Sequence, residues 1–180
     1  MLTGPRAIRR AIKEIHMYLK LRCPNDITRV LRFVQFLDED ELRALASPLY
    51  DDVPSLFGTW HLENIPSFGQ IVDRVLGTCA TGSCSLLLGW TDFGLGQFSL
   101  HGALSSESLI ALVEINGRNA LLLSGDRECA MRISADHDIY NGQPGVYYDI
   151  DIFGREWVDL VRMDWSCDYQ QHKPMDRRYP

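Results

Sequence analysis

The chain has 180 residues, 46% of them hydrophobic and 23% charged, with a formal net charge of −6. That length supports a single domain with its own core, and the apolar content excludes general disorder. No run of about 18 apolar residues occurs, which excludes a membrane-spanning helix, and the overall acidity opposes nucleic-acid binding.

Residues 6–20 repeat apolar side chains at helical spacing (Ile8, Ala11, Ile12, Ile15, Leu19), with Arg9, Arg10, Lys13 and Glu14 turned away. The segment lacks the h-region of a signal peptide and the Ser-rich character of a transit peptide. After Cys23-Pro24, Asn25 or Asp26 is placed to cap a second helix, with Ile27, Val30, Leu31, Val34 and Leu37 as its apolar stripe, widened by Phe33 and Phe36. The acids from Asp38 to Glu41 suit the positive end of a third helix over 39–47.

The texture then changes. Residues 56–62 are aromatic and read as an edge strand. Ser67-x-x-Gln70 after Pro66 has the capping-box pattern, opening a helix that buries Ile71, Val72, Val75 and Leu76, with Gly77 as its C-terminal cap. Residues 85–90 form a buried strand, 94–96 a turn and 97–101 the returning strand of a hairpin. Ser105 or Ser106 caps a helix over 106–115, and Asn116-Gly117 stops it. Short strands follow at 119–124 and 130–134, then turns at Asn141-Gly142 and Pro144-Gly145. The strict alternation of residues 146–153 predicts a strand, ended by Gly154. Residues 155–163 fit a last helix, and the polar tail from 167 is expected to fray. This order predicts one α+β domain over 1–180: a helical N-terminal layer (1–47), then a body (56–165) with an antiparallel or mixed sheet and two or three further helices.

Charge is unevenly placed. Residues 1–36 hold eight basic residues against two acidic ones, an excess of +6, so the remainder carries −12. Residues 135–170 hold eight acids against Arg155 and Arg162. Lysine is confined to Lys13, Lys20 and Lys173, against 15 Arg. A GC-rich genome explains that skew most simply, and selection against ubiquitination in a viral or effector protein is the alternative. The five cysteines (Cys23, Cys79, Cys84, Cys129, Cys167) are odd in number and irregularly spaced, which fits free thiols in a reducing cytoplasm.

Catalytic signatures are sparse: no phosphate-binding glycine loop, no G-x-S-x-G and no HExxH occurs. Cys84 is the best nucleophile candidate, with His101 or His137 as base, although a structural thiol is the simpler reading. Asp136, His137 and Asp149 could hold a divalent metal, but an exposed strand face with turn-favouring aspartates is the simpler reading. No cofactor is expected, and the composition favours a binding protein over an enzyme.

The acidic region also contains Tyr140, Tyr147, Tyr148, Trp157, Trp165 and Tyr169. Aromatic anchors among carboxylates suit a protein that covers a basic active site. The expected function is therefore neutralising a basic protein, such as a toxin nuclease, as immunity or inhibitor proteins do. The candidate contacts are Asp136, Asp138, Tyr140, Tyr147, Asp149, Asp151, Asp159 and Trp165. A viral or effector protein that binds a host factor, and a small hydrolase using Cys84 or the Asp/His set, are the alternatives. No membrane partner is expected, and nucleic acid only through the basic N-terminal helices.

Overall fold

The computed structural model describes residues 5–23, 27–46, 53–79, 84–90, 94–115, 119–140 and 143–170. The elements run α1 (Pro5–Arg22), α2 (Ile27–Val30, one turn), β1 (Leu31–Leu37), α3 (Glu39–Ala46), β2 (Ser55–His61), α4 (Ile65–Thr78), β3 (Ser85–Trp90) and β4 (Gly94–Leu100). They continue with α5 (Ser106–Ile115), β5 (Asn119–Leu123), β6 (Ala130–Tyr140), β7 (Gln143–Phe153), α6 (Arg155–Val161) and β8 (Tyr169–Gln170). This is an α+β fold. The strands form one sheet in the order β1-β4-β3-β5-β6-β7-β2-β8, and every pairing is antiparallel.

The alternation of strand side chains gives the sheet two unlike faces. Leu86, Leu88, Phe98, Leu100, Leu122, Met131, Ile133, Tyr148, Ile150 and Ile152 point to one face. They are buried in the main core with α1, α4, α5 and α6. The helices present matching stripes: Ala11, Ile15 and Leu19 on α1, Phe68, Ile71, Val72, Val75 and Leu76 on α4, and Trp157, Val158 and Val161 on α6. Trp60 of β2 is fully buried there, edge-to-face with Phe68 (5.8 Å) and Trp165 (5.1 Å). The opposite face holds a smaller cluster of Leu37, Leu87, Leu123, Ala130 and Phe153, packed with Leu42 and Leu45 of α3.

The second predicted helix is a strand. Only Ile27–Val30 is helical, and residues 31–37 pair with β4. The register steps from Phe33↔Phe98 to Gln35↔Gln97, so Val34 is an extra residue in a bulge. The bulge lets Leu31, Phe33 and Phe36 share the helix-covered face while Gln35 and Leu37 take the other. A two-residue period interrupted once imitates helical spacing. Val34, assigned to the buried stripe, is 51% exposed.

Smaller corrections follow the same logic. Asp38 and Glu41 form a reciprocal capping box at α3: Glu41 N–H donates to Asp38 Oδ1 (2.8 Å) and Asp38 N–H to Glu41 Oε2 (2.9 Å). Ser67 is not a cap. α4 starts at Ile65, and Ser67 Oγ donates back to Asn64 O (3.0 Å). Gly77 lies inside α4, whose C-cap is Cys79. Ser105 is the α5 cap, accepting from Ser108 N–H (3.2 Å). β6 extends to Tyr140, so Pro144-Gly145 belongs to β7 rather than to a turn. Gly154, at φ 93°, ends β7 in a conformation that L side chains rarely adopt. Asp168–Gln170 are held against β2: Asp168 N–H donates to Thr59 O (3.1 Å), and β8 pairs with Gly58 and Thr59. The expected caps at Asn25 or Asp26 and the turns at Asn116-Gly117 and Asn141-Gly142 lie outside the described residues.

Candidate functional site

Away from α3, the face opposite the main core turns polar. β7 presents Tyr147, Asp149 and Asp151 to it. Across β6 these meet Asp136, Ser134 and Arg132, and across β2 they meet His61, Thr59 and Phe57. Thr59 and Tyr147 are buried, Asp151 nearly so, Arg132, Ser134 and Asp149 are half-buried, and Asp136 is exposed.

The pairing is specific. Arg132 Nη2 forms an ion pair with Asp151 Oδ2. Thr59 Oγ1 donates to Asp149 Oδ1 (2.5 Å). Burial pushes the Asp151 carboxyl above its ordinary range, Arg132 pulls it down, and Asp149 adds to the rise. Burial also pushes Asp149 up, opposed by the Thr59 hydroxyl and Arg132, with Asp136 adding repulsion. The Tyr147 ring packs against His61 (5.1 Å between centroids). Gly145 makes room for that histidine, since a Cβ there would sit 2.5 Å from His61 Nε2. Asp168 fastens the end of β2, accepting from His61 N–H (2.7 Å) and Asn64 Nδ2 (2.5 Å).

The predicted contacts divide. Asp136, Tyr147, Asp149 and Asp151 share this face. Asp138 and Tyr140 lie further along β6, paired in register with Gly145 and Gln143. Asp159 is exposed on α6, with Arg162 at 3.8 Å, and Trp165 packs on Trp60 in the main core. Both belong to the helix-covered side and do not join the set. Much of the aromatic content is core: Tyr147, Tyr148 and Trp157 are at most 2% exposed. Much of the acidity is also engaged inside the molecule. Besides Asp149, Asp151 and Asp168, Asp164 pairs with Arg74 (2.7 Å).

Sequence reading missed Thr59, His61, Arg132 and Asp168. Arg132 carried a usable signal, as the single charge in the apolar run 130–133. Thr59 and His61 were hidden because their partners lie about 90 residues away in sequence.

The candidate catalytic groups Cys84 and His101 lie in unlike surroundings. Cys84 is buried in the main core beside Cys79, whose thiol is pushed well above its ordinary value by Cys84 and by burial. His101 is exposed, with Nε2 2.9 Å from Ser99 Oγ. His137 is placed only by its register opposite Val146. Among the described residues, no three His, Cys, Asp or Glu side chains are grouped to hold a metal ion, and no helix is long and apolar enough to cross a membrane. Comparison of the chain with family models, curated proteins and solved structures gives no match.

Proposed function

We propose that this protein binds a basic protein partner and neutralises it, in the manner of an inhibitor or immunity protein, through the outer part of the β6–β7 hairpin. One observation carries the reading. Among the described residues, β5 accompanies β6 only to Ser134, and β2 accompanies β7 only from Tyr147 onward. Beyond Ala135 and Val146, which still pack in the main core, residues 136–140 and 143–145 pair only with each other among the described residues and form a two-stranded arm, about 14 Å long at the usual strand rise.

The arm carries Asp136, Asp138 and Tyr140, three of the eight predicted contacts, on backbone that no third strand accompanies among the described residues. An exposed carboxylate such as that of Asp136 steers a basic partner and sets the salt dependence of its association. Asp149 and Asp151 contribute from behind, as the anchored base of the arm. This reading narrows the docking surface from the whole acidic region to its hairpin.

The test is capture of the partner from the source cell by the immobilised full chain, comparing wild type with Asp136→Asn/Asp138→Asn at low and high salt. The expected result is about tenfold weaker, less salt-sensitive capture by the variant, equivalent to about 1.4 kcal/mol. Capture that is undiminished and independent of salt would overturn the proposal.

A further inference from the structure

The outer face of α1 carries a cluster of exposed cations. Its buried stripe is Ala11, Ile15 and Leu19. At 3.6 residues per turn, Arg6, Arg9, Lys13 and Lys20 all fall within about 60° of the direction opposite that stripe. All four are exposed, and among the described residues none has an acidic partner. Arg10 lies on the same face but is paired with Glu14 (2.8 Å).

Two apolar side chains sit among these cations. Met17 is 59% exposed and Leu21 is 76% exposed. They are four residues apart, so they neighbour each other on the helix surface. Neither contributes to the core. A polyanion such as nucleic acid uses the cations but gives a leucine and a methionine nothing to bury against. An anionic bilayer uses both: its headgroups attract the cations, and the headgroup–acyl boundary takes up the apolar pair.

We infer that α1 is a peripheral docking surface for an anionic lipid membrane, lying along the bilayer with Met17 and Leu21 inserted and Arg6, Arg9, Lys13 and Lys20 at the headgroups. No membrane partner was expected, but a surface contact needs no spanning segment, and packing of the Ala11, Ile15 and Leu19 stripe on the domain leaves the opposite face of α1 exposed. From Arg6 to Leu21 the face is about 22 Å long, enough to span several headgroups.

Co-flotation of the full chain with phosphatidylcholine vesicles, with or without phosphatidylserine, tests this. Binding is expected only with phosphatidylserine and should fall steeply with salt. Arg9→Gln and Lys13→Gln should each weaken it about fivefold, the change that one cation at an anionic surface brings. Met17→Gln/Leu21→Gln, at exposed positions that leave the core untouched, should also weaken it several-fold. Equal binding to both vesicle types, or to neither, overturns the inference. So does vesicle binding that Met17→Gln/Leu21→Gln leaves intact. Binding to short DNA or RNA duplexes in place of vesicles would assign the face to nucleic acid instead.

Discussion

β7 serves two environments with alternate residues. Tyr148, Ile150 and Ile152 enter the main hydrophobic core under four helices, whereas Tyr147, Asp149 and Asp151 line the polar end of the other face. On the first side stability comes mainly from burying area, and the one polar contact of these three residues is the Tyr148 hydroxyl donating to the Glu114 carboxylate of α5. On the second, carboxylates are removed from water and partly compensated by Arg132 and Thr59. The contrast shows why a count of acids along the chain overstates the field offered to a partner. Several of the acids in 135–170 are engaged inside the molecule, and among the described residues there the outward ones are divided between Asp136 on β6 and Glu156 and Asp159 on α6.

The sharpest separation of the two faces comes from removing a large side chain on the apolar one. Trp60 is fully buried and donates its indole N–H to Ser166 O (2.8 Å). Trp60→Ala should cost about 4 kcal/mol, read by denaturant unfolding, with little dependence on pH. A loss below about 1 kcal/mol would mean that the helix-covered face does not carry the fold.

A cut on the polar face should be smaller and should depend on pH. Arg132→Ala leaves the Asp151 carboxylate without its cation and should cost about 2 kcal/mol at neutral pH. The cost should shrink on acidification, because a protonated Asp151 no longer needs a counter-charge. Thermal unfolding at neutral pH and near pH 4 measures both. A pH-independent cost would indicate that Arg132 acts through packing alone.

The smallest effect reverses sign. Asp149 has a raised pKa in the folded state, so the native protein holds a proton more tightly there than the unfolded chain does. Its contribution to stability is complete below the ordinary carboxylate range and is lost as pH rises through the raised value. At neutral pH the buried charge is a net cost. Asp149→Asn keeps an acceptor for Thr59 and should stabilise the protein by about 0.5–1 kcal/mol at neutral pH, with no gain under acid conditions. Destabilisation at neutral pH would show that the Thr59 hydrogen bond to a charged acceptor outweighs desolvation.

How legible these features were in the sequence followed from how local their causes are. α1, β3 and α5 were recovered within a residue or two, because their apolar period and punctuation are contained in the segment itself. β1 was misread because one bulged residue shifts its period. β6 was read at less than half its length, since residues 135–140 have no strand pattern of their own and are extended by pairing with β7. At the candidate site, Asp149 and Asp151 were visible through alternation. Their partners Thr59 and Arg132 were not, because cross-strand neighbours are set by topology, which no local window contains. The neighbouring tyrosines show a related limit: Tyr147 lies on the face of Asp149 and Asp151 while Tyr148 enters the main core, and composition places a tyrosine in a region without saying which side of a sheet it faces.

The bulge at Val34 has a consequence for the molecule in crowded solution. A two-residue-period edge would present a regular row of free amide and carbonyl groups, the template on which another chain can zip. β1, the outermost strand at its flank, breaks that row in the middle with an extra residue, and the opposite flank ends in a strand of only two residues. The same irregularity that disguises β1 as a helix therefore guards against strand recruitment. Among the described residues, neither outermost strand of the sheet, β1 or β8, offers a long, even border from which aggregation could propagate.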